Sequence, residues 1–353
     1  MHTNFATGQA RRWHGRRAER GLSLVELMVA MALGLMIMTA LAALYGSMSR
    51  TNNEMAKTNQ LIENGRFAVQ LLQGDLVHAG FWGPLDTLQA TAVPDPCLVY
   101  ANWPTDATAL AEYKVNLMAI PVQGYADGSA LAGCGVASVS AKSDVLLVRH
   151  ASTCVAGGCD GGADAGPHIQ ISSCRTDAPP EPAYLLDANP ASLTLRLKNC
   201  TTVAPRRQML VNLYYVSTNG SGMPRLMRKS FKEGAYAASA EALIEGIEAF
   251  RVEYGVDNLG SNGLPISASN PGDGNADSYV SCAPSCDLAT LSNVVAVKVH
   301  VLARNLEPTA GYKDEKSYQL GPLAIAAAND SYKRHVFSTT VRLVNPSSRR
   351  EQP

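Results

Sequence analysis

One carboxylate stands inside the longest apolar run of this 353-residue chain. Glu26 lies in the run 22–45, where the weakly acidic Tyr45 is the only other ionisable side chain. A charge in hydrocarbon is costly, so an acid in such a run needs a partner and is a functional candidate. Gly21 stands directly before the run, and the preceding twenty residues carry Arg11, Arg12, Arg16, Arg17 and Arg20 against Glu19 alone. This order suits backbone cleavage between Gly21 and Leu22, with the apolar segment kept on the mature chain. A secretory signal fits less well, because the apolar core is long and no A-x-A site closes it.

Two further groups of residues could do chemistry. Asp273, Asn275 and Asp277, with the carbonyl of Tyr279, repeat the alternate spacing of the first half of a calcium loop. Pro284 stands where the bidentate Glu would close the shell, so Asp257 or Asp287 would have to complete it. The alternative is a polar turn in which these side chains serve local backbone groups. The eight cysteines (Cys97, Cys134, Cys154, Cys159, Cys174, Cys200, Cys282, Cys286) all follow the apolar run, in Gly-, Pro- and Ser-rich sequence. An even number there suits disulfides in an oxidising compartment, with Cys154–Cys159 and Cys282–Cys286 as the local pairs. Zinc is disfavoured, since the C-x4-C and C-x3-C spacings lack CxxC or HxxxH partners. The seven histidines are scattered, and no nucleophile elbow, phosphate loop or dinucleotide fingerprint occurs. Nothing points to an enzyme. Thirty basic and thirty acidic residues cancel, so no broad nucleic-acid surface is implied.

These residues must be carried by elements that the pattern also predicts. At helical rise the run 22–45 is about 36 Å long, enough to cross a hydrocarbon core. The basic excess before it places the N-terminus in the cytoplasm and the rest outside. Beyond Tyr45 an amphipathic, proline-free segment continues, with Leu61, Ala68, Leu72 and Leu76 on one stripe. Asn59, Glu63, Arg66, Gln70, Gln73 and Asp75 lie on the other face. One helix from Leu22 to about Ala79 is expected, stopped at Gly80-Phe81-Trp82-Gly83-Pro84. The domains are then a leader (1–21), a transmembrane half-helix (22–45), an amphipathic half-helix (46–80) and a β-rich head (81–353). Residues 84–182 read as a loop-rich insertion. Strands are expected at 144–150, 193–198, 209–216, 225–231, 247–256, 295–301 and 337–343, from alternation or apolar runs. The fold class is α+β, a long helix laid on an antiparallel sheet with one covered face.

The N-terminus resembles type IV prepilins and pseudopilins: a basic leader ending in Gly21, apolar Leu22 where major pilins usually have Phe, and Glu26 at the fifth mature position. The stretch Glu245-Gly246-Ile247-Glu248-Ala249-Phe250-Arg251-Val252-Glu253-Tyr254-Gly255-Val256-Asp257 and the later Ser292-Asn293-Val294-Val295-Ala296-Val297 are similar to the PilW family of minor pilins. So is the segment from Gly65-Arg66-Phe67 to Gly80-Phe81-Trp82-Gly83. The resemblance covers the leader, the helix and residues 241–345. It implies cleavage by prepilin peptidase, N-methylation of Leu22, and residence in the inner membrane before incorporation near the pilus tip. Glu26 would meet the free amine of a neighbouring subunit and set its register. Implied partners are other minor pilins, the major pilin, a tip adhesin and the inner-membrane assembly platform; no cofactor is required beyond the candidate calcium ion. The alternatives are a J-type minor pseudopilin of type II secretion and a pilus-associated adhesin.

Overall fold

The computed structural model describes residues 21, 23–85, 88–158, 166–175, 184–218 and 222–351. By internal contacts the chain divides into residues 1–55 and 56–353. The first helix, α1 (Leu24–His78), contributes to both. Its apolar first part is exposed along its length: Leu27, Met28, Leu33, Leu35 and Ile37 all show half or more of their surface. Its buried residues are Leu61, Gly65, Ala68, Leu72 and Leu76, the stripe that 3.6-residue spacing places on one face. Among the described residues this is the only helix long and apolar enough to cross a membrane.

The head (56–353) builds its first sheet from β1 (Val122–Tyr125), β2 (Val145–Ala151), β3 (His168–Ile171), β4 (Tyr184–Asp187), β5 (Arg207–Thr218), β6 (Pro224–Lys232), β7 (Ala235–Tyr236) and β8 (Glu241–Glu245). The 12-residue β5 is its spine: it pairs antiparallel with β2 on one edge and with β6 and β3 on the other. The second sheet runs β10 (Ser278–Val280), β9 (Ile247–Val256), β11 (Val294–Arg304), β14 (Arg334–Arg342), all antiparallel. A hairpin of β12 (Tyr318–Leu320) and β13 (Leu323–Ile325) caps Ala249 and Leu302 on one face of this sheet. Shorter helices are α2 (Ala107–Ala119), α3 (Leu288–Ser292) and α4 (Val344–Arg350).

Strand alternation sorts the core. Leu146 and Val148 of β2, Tyr214 and Val216 of β5, and Phe250, Val252, Val297, Val299 and Val301 of the second sheet join the helix stripe in one cluster. The intervening residues Val145, Leu147, Val211, Leu213 and Tyr215 face a second cluster with Trp82, Trp103, Leu117, Met118 and Leu131. The first sheet is therefore buried on both faces, where the sequence suggested one. Its second cover is the segment expected to be loop-rich, which contains α2, capped by the Asp106 side chain on Thr108 and Ala109 N–H.

Two other expectations are corrected. Residues 193–198 form no strand; they make a narrow ribbon with the Arg196–Val203 bridge, tied by the Cys174–Cys200 disulfide. Leu195 N–H is taken by Gln170 Oε1 rather than by a neighbouring strand. Gly65 was not part of the predicted stripe, yet α1 meets Phe337 of β14 there. A Cβ there would lie 2.1 Å from the Phe337 ring, so only hydrogen fits.

Candidate functional site

At the start of α1 the sequence dictates a cap. Ser23 precedes the first helical residue and Glu26 stands three positions later, the S-x-x-E pattern in which each side chain serves the other's end of the turn. In the structure Glu26 Oε2 accepts from Ser23 N–H at 2.9 Å, and Ser23 Oγ accepts from Val25 N–H at 3.3 Å. This reciprocal use of Glu26 was legible in the spacing and was missed, because its position within an apolar run drew the reading to charge alone. Gly21 is exposed with open space around its Cα, while Leu22 lies outside the described residues. The apolar side chains that follow are displayed, which suits burial in lipid or against other helices of the same kind.

Near its other end, the same helix carries a second acid in a different setting. Asp75 accepts from His150 Nε2 at 2.9 Å, from Asn212 Nδ2 at 3.2 Å to each oxygen, and from Tyr214 Oη at 3.1 Å. His150, Asn212 and Tyr214 occupy the helix-facing positions of β2 and β5, so strand alternation brings them together. Burial by itself pulls the His150 pKa down. The hydrogen bond and charge of Asp75 outweigh that, and the net shift is upward. The sequence placed Asp75 on the solvent face of the helix; the structure moves it to the head's interior, where it pins α1 to the first sheet.

The calcium candidates do not assemble a shell. Asp277 Oδ2 accepts from the N–H groups of Asn258 and Leu259 at 2.8 and 2.7 Å, and Asp273 Oδ1 accepts from Asn275 N–H. Tyr279 stands in β10 with the Lys298 ammonium over its ring. Asp257 does fold against this loop, accepting from Gly274 N–H at 2.9 Å, but its fully buried charge faces the Arg350 guanidinium at 3.3 Å. Arg350 also donates to Ser292 O and Asn293 Oδ1, which fastens α4 to the head. Asp287 caps α3 through Thr290 N–H. Among the described residues no three His, Cys, Asp or Glu groups are placed to hold a metal ion. A turn whose acids serve backbone donors is the geometry present.

Cys282 is bonded to Cys286, Cys97 to Cys134 and Cys174 to Cys200. The last two link residues 37 and 26 positions apart, which no local spacing could indicate. Cys154 is also disulfide-bonded, while Cys159 lies outside the described residues. His300 sits in a row across the second sheet, its Nδ1 2.7 Å from Ser338 Oγ and its Nε2 2.8 Å from Glu253 Oε2. These are the residue types of a hydrolytic relay, but the β12–β13 turn closes over them. A Cβ at Gly321 would lie 2.7 Å from Glu253 Oε2 and 3.1 Å from His300 Nε2. The row acts as a cross-strand ladder.

Residues 16–42 match the family model of the prokaryotic N-terminal methylation motif, and residues 213–345 match that of the type IV pilus-assembly protein W, PilW. No curated protein is significantly similar to the chain. Among solved structures, a type IV-like pilin from Thermus thermophilus is similar over 81% of this chain and 97% of its own, at 14% identity and a TM-score of 0.37. That likeness is remote. The two family matches, one at each end of the chain, support a PilW-type minor pilin.

Proposed function

We propose that this chain is a minor pilin cut by prepilin peptidase between Gly21 and Leu22, methylated on the new amine, and incorporated near the tip of a type IV pilus. There it promotes the start of assembly. One conjunction carries the reading: the Gly21–Glu26 motif opens a long displayed apolar helix, and a PilW-type region supplies most of the strands of the same chain's head. The role is structural rather than enzymatic. Before assembly the apolar part of α1 crosses the inner membrane, with the basic leader cytoplasmic and the head periplasmic. The disulfides suit that oxidising compartment.

In the filament the displayed side chains of α1 pack against helices of like subunits, and the Glu26 carboxylate exchanges its local donor for the amine of a neighbour. Buried ionic groups of this kind are best attested as register devices. The partners are other minor pilins, the major pilin, a tip adhesin and the membrane assembly platform. Mass spectrometry of sheared pili tests the proposal. It requires a chain beginning at N-methylated Leu22, and without the peptidase a precursor heavier by 21 residues. An uncut chain in cells with active peptidase overturns it.

A further inference from the structure

The second sheet ends on a strand whose outer edge is open. β14 pairs with β11 over its whole length without a bulge, and among the described residues no strand lies on its other side. The remaining edge strands β1, β4, β7, β8 and β10 are much shorter. Leu343 N–H bonds to Val295 O and Asn305 N–H to Lys333 O, which sets the parity of the ladder. The odd-numbered residues from His335 to Val341 therefore bond to β11. The backbone groups of Val336, Ser338, Thr340 and Arg342 point away from it, and among the described residues they meet no hydrogen-bond partner.

Proteins close such edges with lysine, proline, a bulge or a short strand. From Val336 to Val341 the sequence Val-Phe-Ser-Thr-Thr-Val has no charge and no proline, and most of it favours extended backbone. Ser338, Thr340 and Arg342 are exposed. An open edge of this composition is a template for another strand.

The flank of the edge defines what that strand carries. Phe337 and Val341 of β14 join the helix stripe, and Phe337 meets α1 at Gly65. One side of α1 is taken by the first sheet, through Asp75 and through Asn64 on Glu245 O. β9 joins that sheet by the Ser143–Phe250 bridge, so β14 is the strand farthest from it. The opposite side of α1, by 3.6-residue spacing, carries Ile62, Arg66, Val69 and Gln73. Ile62 and Val69 are only partly buried. Arg66 is exposed and has no ion pair or hydrogen bond among the described residues.

We propose that the outer edge of β14 receives an extended segment of a different polypeptide, with apolar side chains toward Ile62 and Val69 and a carboxylate for Arg66. The choice of a different chain rests on the pilin reading. Antiparallel pairing of two copies through β14 has its dyad normal to the sheet, which points their α1 helices in opposite directions. Chains held in one membrane share a direction.

Amide hydrogen exchange of the full-length chain in detergent is followed with short probe peptides that alternate Val and Thr. One ends in Glu at both termini, one ends in Lys, and one repeats the Glu peptide with every backbone nitrogen methylated. At ten times its Kd the Glu peptide should slow exchange at Ser338, Thr340 and Arg342 about elevenfold. The Lys peptide should act more weakly and the methylated one not at all. No protection by the Glu peptide, equal protection by the Lys peptide, or protection by the methylated one would each overturn the proposal. In cells, Thr340→Pro removes an outward N–H without touching a bond to β11, and Thr340→Val keeps it. With melting like the parent's, Thr340→Pro should enter sheared pili about tenfold less and Thr340→Val normally; parental entry of Thr340→Pro overturns the proposal. If the parent itself is absent from pili the pilin reading fails, and the exchange measurement on the parent still decides the edge.

Discussion

Removing the Asp75 carboxylate probes how the helix is held to the head. It serves three donors, and the side chains of Asp75 and His150 are only 13% and 8% exposed. Asp75→Ala strands those donors in a largely dry site. A buried hydrogen bond to a charged group contributes about 1.5–3 kcal/mol; the three share one acceptor and water can enter, so the expected loss is about 3 kcal/mol. The pH dependence identifies the cause. The His150 pKa is raised above its ordinary 6.5. Its contribution is therefore fully present below the unfolded value and is lost as pH rises through the folded one. Urea unfolding followed by fluorescence, to which the buried Trp82 just after the helix contributes, should give a larger penalty for Asp75→Ala at pH 6 than at pH 9. Asp75→Asn should remove the pH-dependent part and keep part of the remainder. A penalty below about 1 kcal/mol, or one equal at both pH values, would refute the assignment.

Gly65→Ala forces the Phe337 ring aside and should cost about 1–3 kcal/mol by thermal melting, with Phe337→Leu in the same chain recovering most of the loss. The calcium proposal for Asp273, Asn275, Asp277 and Tyr279 is decided by melting with and without calcium. A rise that Asp277→Ala abolishes supports ligation, whereas an equal loss in both conditions assigns Asp277 to capping Asn258 and Leu259. The hydrogen bonds favour the second result. Glu26→Ala should insert in the membrane and incorporate poorly into pili, measured by immunoblot of sheared filaments. Glu26→Gln, which can still close the cap on Ser23, should incorporate as poorly; normal incorporation of Glu26→Gln would remove charge from the mechanism.

What could be read from the sequence follows a physical division. The helix stripe and the strands β9, β11 and β14 depend on local periodicity, which the order of apolar and polar residues displays by itself. α2 escaped because Ala107–Ala119 lies among prolines, and its cap at Asp106 was not weighed against them. Residues 193–198 alternate as a strand should, yet among the described residues they meet only the short return at Thr202–Ala204 and Ser173, and alternation is silent about partners. Asp75 was assigned to solvent because a 3.6-residue period distinguishes faces of a helix, not what β2 and β5 of the first sheet bring against the edge of a stripe. The same limit hid Arg149: in Asp-Val-Leu-Leu-Val-Arg-His it reads as the polar end of a buried strand. Cover that includes Ile120, Tyr113 and Tyr236 makes it interior.

The two acids of α1 show why residue type alone underdetermines role. Asp75 has its donors within its own chain, so it is finished on folding and contributes to stability. Glu26 has one, the N–H of Ser23, which completes a cap but does not neutralise a charge. In the proposed filament, taking a neighbour's amine means giving up that cap. The net gain is then the difference between an ion pair and a charge-assisted hydrogen bond, smaller than the ion pair alone. A small gain for the correct neighbour contrasts with a large penalty for a subunit seated out of register, which buries the carboxylate without its amine. Selectivity of that kind needs an acid that is satisfied before assembly and improved by it at one axial position only. Ser23 supplies the first condition. The apolar length of the run, which offers no other cation from Leu24 to Ser49, supplies the second.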